Sequence, residues 1–394
     1  MRFRATYFLL LLALFVGNVT IWKTAQSRHA FHALASGSSG YANTWDPKTA
    51  ARYLDSREVW WQKWPLAQMD HGTVCISCHT VVPFALVRPT LRHELGENGM
   101  APAEQVMLAS IEKRVTQWSK VTPFYTDATN GSGKTEQSHA TEAVLNAVIL
   151  SSYDVAWGHL SPLTRMAFGE AWTLQEKTGD DAGGWKWQDF HLAPWESSES
   201  GYQGAALMAV ALGNTPDNYA SESGVRENLE RLKLYLRRQY DAQPLMSKLY
   251  VLWASARITG LLTEAERSEL IVKVTNLQLN DGGWALSSLD EQSRKHGLLD
   301  EWKRLSNTGE GDGCATGLVV LAMERAGAKQ REKALRRGVE WLEQHQAKDG
   351  SWWAKSLNGQ RDANSEIGRF MSDAATGYAA LALADADRDT SVLQ

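Results

Sequence analysis

Among the 394 residues are three cysteines, and two of them stand three positions apart with a histidine directly after: Cys75-Ile76-Ser77-Cys78-His79. Two thiols at that spacing can add to the two vinyl groups of a haem, and the adjacent imidazole can take the iron as proximal ligand. With three Cys and ten His in the chain, chance assembly of this pentapeptide is below roughly one per cent. A zinc site would want a second Cys/His pair at ligand spacing, and none is near. A thioredoxin-type dithiol belongs in a βαβ context, which the flanking sequence lacks. The motif therefore reads as the attachment point of one covalent haem c, with Cys75 and Cys78 holding the macrocycle and His79 the iron. For the opposite axial position His71 is the first candidate. Met69, His93, Met100, His139 and His191 are alternatives, as is an open site. Trp60, Trp61, Trp64, Pro83 and Phe84 flank the motif. They are expected to pack on the macrocycle and exclude water, which raises a reduction potential.

Haem attachment of this kind takes place outside the cytoplasm, and the N-terminus agrees with export. Arg2 and Arg4 precede an apolar run over residues 7–22. That run is longer than most signal h-regions and shorter than the about 20 residues of a comfortable span. Two readings stay open: a signal peptide within 1–35, with Ala33-Leu34-Ala35 as a late cleavage site, or an anchor to the inner membrane through residues 7–22. Either way the body of the chain is expected to be periplasmic or otherwise exported. The net charge of -4, the absence of a basic run and the absence of a phosphate-binding glycine loop argue against a nucleic-acid partner. Cys314 stands alone, so there is no disulfide framework.

From about residue 136 onward the pattern is helical. Helices are expected at 139–153, 162–177, 201–213, 225–240, 244–260, 263–278, 313–327, 331–346 and 373–385, with Gly, Pro, Asp and Asn between them. Two repeats run through this stretch. In the first, a helix end is followed by Gln, then Gly, then Trp: Gln175 to Gly183-Gly184-Trp185, Gln278 to Gly282-Gly283-Trp284, and Gln344 to Gly350-Ser351-Trp352. The Gln can bond backbone groups of the neighbouring turn, the Gly permits a sharp exit from the helix, and the Trp can close the gap between helix layers. The chain carries 17 Trp, about three times ordinary usage. In the second repeat, Ala315-Thr316-Gly317-Leu318 resembles Ala375-Thr376-Gly377-Tyr378, and Gly204-Ala205-Ala206-Leu207 is similar in character. These helices are apolar nearly all round and suit an inner layer. Helices with one charged face, such as that with Arg336, Arg337 and Glu340, suit an outer one. The expectation is an all-α chain: a leader over 1–35, a haem segment over 45–130, and an α/α toroid over 136–390.

The Gln…Gly-x-Trp segments resemble the QW repeats of squalene–hopene and oxidosqualene cyclases and of prenyltransferase β-subunits, over roughly 250 residues. The whole chain also resembles exported bacterial proteins described as squalene-cyclase-like with an N-terminal CxxCH. That likeness is carried by the stretches from Cys75 through Pro89, Thr141 through Ala147, Phe190 through Glu196, and Phe370 through Thr376. The resemblance implies the α/α toroid and the haem. Cyclases of the protonating class place Asp-x-Asp-Asp at the start of an inner helix, its middle Asp being the acid. The matching place here is Asp312-Gly313-Cys314-Ala315-Thr316, with a thiol where the acid belongs. A thiol is far too weak to protonate an alkene, so cyclase chemistry is read as lost. Asp312 and Cys314 also resemble a prenyltransferase zinc pair, but Ser372-Asp373 replaces the histidine that would complete it. The plain alternatives are helix N-caps for Asp312 and Asp373 and a small buried hydrophobe for Cys314. Glu142, Tyr202, Asp312 and Asp373 are the polar residues expected to face a central cavity.

Three functions follow as expectations. The first is an exported haem-c protein engaged in electron transfer or oxidoreduction with a redox partner protein, its toroid holding an apolar or isoprenoid molecule. The others are a terpenoid cyclase-like enzyme and a non-catalytic electron-transfer or binding module.

Overall fold

The computed structural model describes residues 44–289, 309–328, 333–356 and 361–392. The proposed leader lies outside them. No helix among the described residues is long and apolar enough to cross a membrane.

The chain is all-α, and its longer helices alternate between two layers. The outer ones are α1 (Pro47–Lys63), α3 (Pro102–Thr116), α5 (Pro162–Thr173), α7 (Ser223–Gln239), α9 (Glu264–Thr275) and α11 (Lys333–Gln344). The inner ones are α2 (Val81–Glu94), α4 (Lys134–Asp154), α6 (Ser200–Asn214), α8 (Leu245–Ser255), α10 (Gly313–Arg325) and α12 (Phe370–Val392). The inner helices pack in sequence, α2 on α4, α4 on α6, and so on to α12, which returns to α2 and closes an α/α toroid. Residues 47–116 supply three of these helices, and α2 is a stave of the same ring as the staves from 134–392.

Side-chain pattern sorts the layers. Every residue of α6 from Ser200 to Leu212 and of α10 from Gly313 to Met323 is buried. In α7 only Val225, Leu229, Leu232, Tyr235 and Leu236 are, a single stripe against the core. Two inner staves that are not neighbours in the ring also meet. Tyr250 of α8 and Tyr378 of α12 hydrogen-bond through their hydroxyls at 2.7 Å, with exposures of 0% and 1%.

All nine expected helices are present, and the Gln–Gly–Trp repeat has one geometry in each of its three places. Gln175 Nε2 donates to Gly183 O and to Asn228 O of α7, both at 3.0 Å. Gln278 Nε2 donates to Gly282 O at 2.8 Å and to Ala334 O of α11 at 2.7 Å. In the third place the residue is Gln346, not Gln344: Gln346 is fully buried and donates to Gly350 O at 3.1 Å and to Asp46 O at 3.0 Å, while Gln344 is exposed. Its turn begins two residues later than the sequence pattern suggested. Each Gln thus ties its own turn to the next outer helix, and the last tie, to the Asp46 cap of α1, closes the outer layer. The indoles finish the turn. Nε1 of Trp185, Trp284 and Trp352 donates to Ala171 O, Val274 O and Leu342 O at 2.7–2.8 Å. Gly183, Gly282 and Gly350 have φ of +101°, +101° and +94°. A Cβ on Gly350 would lie 2.2 Å from Thr49 O, so only glycine permits this approach.

Each inner helix begins after an outer one ends, and the starts gather on one face. The connections there include 64–80, 117–133 and 174–199, longer than those on the opposite face such as 95–101 and 155–161. The CxxCH lies in 64–80, on the long-loop face.

Candidate haem-attachment site

The loop 64–80 is held at several points. Cys75 N donates to Ala67 O at 2.8 Å, and Trp61 Nε1 of α1 donates to Cys75 O at 2.7 Å. Ser77, inside the motif, caps α2: its Oγ accepts from Thr80 N at 3.2 Å and Val81 N at 3.1 Å. Arg114 of α3 reaches into the same loop, donating to Thr73 Oγ1 at 2.8 Å, and also binds Thr122 O at 2.8 Å. Arg114 and Glu142 of α4 form an ion pair with neither side chain exposed; Nη2 meets Oε2 at 2.9 Å and Nε binds Oε1. The pair fastens both the motif loop and the 117–133 loop to α4.

His79 lies in an aromatic box. Phe370, at the start of α12, stacks on it with ring centroids 3.8 Å apart and planes 21° apart. Trp61 meets its edge at 5.2 Å and Trp195 stands at 5.9 Å. Trp60 and Trp64 stack on one another at 5.2 Å and lie around Phe370. The Nδ1 atom is 2.9 Å from Thr80 Oγ1, which donates to Asp373 Oδ2 at 2.7 Å. Asp373 Oδ1 accepts from Arg57 Nε at 2.7 Å and from Tyr53 OH at 2.9 Å. Burial, then the charges of Arg57 and Arg361, push the His79 pKa down to about 3, so the imidazole is neutral, as a metal ligand requires.

Both cysteines of the motif are free thiols. Burial pushes Cys75 and Cys78 up, and the nearby Glu196 charge pushes them further. They are thiols at neutral pH, without the depressed pKa of a redox-active CxxC. Glu196 itself is raised to about 7 by burial, against the pull of Lys134. Cys78 borders a pocket at the rim of the lumen, lined also by Val82, Leu145, Trp187, Gln203 and Tyr378, with room for about one water. Trp195 Nε1 is buried there without a hydrogen-bond partner. A covalent haem fits this donor set: two free thiols, a neutral imidazole bonded through Nδ1 alone, and the unsatisfied indole N–H of Trp195 beside Cys78.

The four residues expected to face a central cavity are engaged by protein groups instead. Glu142 pairs with Arg114. Tyr202 OH donates to Leu236 O at 2.8 Å. Asp312 is the N-cap of α10, accepting from Cys314 N at 3.0 Å, Ala315 N at 2.9 Å and, through Oδ2, Leu286 N at 2.6 Å. Asp373 is no cap: it lies inside α12, and its side chain turns to Tyr53, Arg57 and Thr80 because the buried guanidinium needs a counter-charge. Cys314 is fully buried.

The axial candidates are scattered. His71 is half-exposed and pairs with Asp70 at 3.1 Å. His191, exposed, pairs with Asp189 at 3.3 Å, and His93 is exposed near the end of α2. His139 stacks on Trp118 at 4.9 Å. Met69 and Met100 pack against the core. None of the six makes a hydrogen bond or ring contact with the motif.

The four stretches from Cys75, Thr141, Phe190 and Phe370 converge here, contributing Cys78 and His79, Glu142 and Leu145, Trp195 and Glu196, and Phe370 and Asp373. Sequence reading missed Arg57, Tyr53, Arg114 and the role of Thr80. The usable signal was the Asp46-Pro47 helix start, which places Tyr53 and Arg57 one turn apart on one face of α1.

No protein-family model matches the chain, and no curated protein does. Among solved structures it is similar to a polysaccharide lyase, with 12% identity, a TM-score of 0.39, and coverage of 93% of this chain and 96% of that one. A likeness of that depth carries no functional information.

Proposed function

We propose that the chain is an exported haem-c protein whose task is electron transfer, and that its cyclase-like toroid serves as a scaffold for the haem. The observation that carries this reading is the motif itself: two free thiols and a neutral histidine bonded only through Nδ1, held in one loop walled by Trp61, Trp195 and Phe370. Cys75 and Cys78 would hold the macrocycle through thioethers and His79 the iron, and the bound group would supply a one-electron couple. The protein's own part is to orient the imidazole, exclude water and shield the couple. The aromatic box does the last two.

Several observations favour a scaffold over a lumenal enzyme. Tyr250 and Tyr378, whose hydroxyls meet between two inner staves, are 0% and 1% exposed, and Tyr202 and Thr316 are turned to backbone groups outside the inner layer. Cys314, where a cyclase-like acid would stand, is a fully buried thiol, and Asp312 beside it is occupied by the backbone amides of Cys314, Ala315 and Leu286. A redox partner would meet the long-loop face, where Leu66 of the motif loop is 74% exposed.

The test is expression with c-type haem maturation machinery. Wild type is expected to carry a haem that survives denaturing electrophoresis and gives the pyridine haemochrome of a doubly thioether-linked macrocycle. The C75A/C78A double variant is expected to lose it. Wild-type protein that folds yet keeps no denaturation-resistant haem refutes the reading.

A further inference from the structure

We infer that Thr80, Asp373 and Arg57 form one positioning relay that fixes the tautomer of His79 and sets how strongly its imidazole donates to the iron. The part concerning iron rests on the haem reading above; the tautomer does not.

A proton count carries the first step. Thr80 has a single hydroxyl proton, and its Oγ1 lies 2.7 Å from Asp373 Oδ2 and 2.9 Å from His79 Nδ1. A carboxylate only accepts, so that proton goes to Asp373. The hydroxyl oxygen then has only lone pairs to offer the imidazole, and Nδ1 must carry the N–H. Nε2 keeps the lone pair, which is the form that binds a metal. Asp373 cannot return a proton along this path. Its other oxygen accepts from Arg57 Nε at 2.7 Å and Tyr53 OH at 2.9 Å, and a guanidinium stays protonated at any relevant pH. Asp373, Thr80 and Arg57 are 0%, 1% and 3% exposed, so these bonds do not compete with water and are correspondingly strong.

Geometry carries the second step. The relay settles which nitrogen faces Thr80, and Phe370 stacked at 3.8 Å with Trp61 at the ring edge leaves the imidazole one orientation. An imidazole whose N–H is held by an acceptor backed by a carboxylate is a more basic ligand. It favours the ferric over the ferrous state and lowers the reduction potential. The relay also joins the first and last of the described helices. Tyr53 and Arg57 come from α1, Thr80 from the cap of α2, and Asp373 and Phe370 from α12, so closing the toroid and orienting the ligand are one event.

Two measurements test this on the full-length chain. In protein produced without haem maturation, side-chain nitrogen NMR of the histidines is expected to show His79 as the Nδ1–H tautomer. In matured protein, potentiometric titration of Thr80→Val is expected to give a higher midpoint potential than wild type, and Thr80→Ser the wild-type value. A purely structural role would leave the potential unmoved and the serine variant without a special status. An Nε2–H tautomer in the apo chain overturns the relay, and that measurement decides the matter even where Thr80→Val fails to mature. An unchanged potential in a fully haem-loaded Thr80→Val overturns the tuning role. Absence of covalent haem from wild type overturns the haem reading, and the tuning role with it, while the apo tautomer still reports on the relay.

Discussion

Glu142 offers the sharpest test of how the motif loop is held. It sits on an inner stave with its carboxylate fully buried against Arg114, whose guanidinium is equally buried. At the 2.9 Å separation of Nη2 and Oε2, an effective dielectric of about 20 gives an attraction of about 6 kcal/mol. Most of it offsets the desolvation of two charges. Glu142→Gln keeps the shape and one acceptor but removes the counter-charge. Arg114 stays protonated, with only the partly exposed Asp70 at 3.4 Å left to face it. Breaking a buried pair from one side costs about 3–5 kcal/mol, a large part of the roughly 5–15 kcal/mol that holds a domain folded. The assay is chemical denaturation of wild type, E142Q, R114M and the double variant R114M/E142M. E142Q is expected to lose about 3 kcal/mol or more, and the double variant, which buries no charge, to lose less than E142Q alone. Haem incorporation should fall with E142Q as well, because Arg114 also grips Thr73 of the motif loop. A loss below about 1 kcal/mol in E142Q, or a double variant that loses the sum of the singles, refutes the argument.

Other expectations follow from the same structure. Gln346→Leu leaves the amide of Asp46 and the carbonyl of Gly350 without their side-chain partner and should cost about 1–3 kcal/mol, while Gln344→Leu, exposed two residues earlier, should stay within about 0.5 kcal/mol; equal effects would refute the assignment of the third turn. Gly350→Ala forces a side chain onto a φ of +94° and against Thr49 O, for a loss of at least about 1–3 kcal/mol on thermal or chemical unfolding; a neutral outcome would sink the close-approach account. Glu58 is buried and pushed up to about 8, from 4.5 in the unfolded chain, mainly by burial. Its stabilising protonated form is therefore complete below about pH 4.5 and lost as pH rises through about 8, a change of up to about 4–5 kcal/mol. Glu58→Gln should gain on wild type steadily between pH 5 and 8, and parallel stability curves would show that Glu58 ionises freely.

What was legible in the sequence follows the strength of local constraint. The Gln–Gly–Trp turns could be read because each position answers a backbone demand: a glycine for positive φ, an indole and an amide for carbonyls at a helix end. The same demand explains the slip at Gln344, since two glutamines stood two residues apart and only the turn geometry separates them. The first three helices were not read. Helix α2 carries Pro83 and Pro89 in fourteen residues, a pattern that argues against a helix; the neighbouring staves hold it in place regardless, with Gly377 packed on Pro83. At the end of α1, Gln62 Nε2 ties to Ala103 O of α3 at 2.9 Å, the same link to the next outer helix, but no Gly-x-Trp follows to mark it. The site itself was half legible. Its covalent residues are contiguous and obvious, whereas the residues that orient His79 come from positions 53, 57 and 373, which only ring closure brings together.

The placement of polar groups bears on the two roles proposed for a toroid with this motif. An enzyme acting in the lumen needs a titratable side chain free to meet a substrate there. Glu142 and Asp373 answer to arginines, and Asp312 answers to the backbone amides of its own helix and of Leu286. Each therefore stabilises the ring or the motif loop. Trp195 Nε1, one of the buried side-chain donors without a hydrogen-bond partner, lies beside Cys78. On the proposed scaffold role the chemistry sits beside Cys78 and His79, where the first and last inner staves meet, and Asp373 supports the imidazole through Thr80, although its sequence position suggested a lumenal residue.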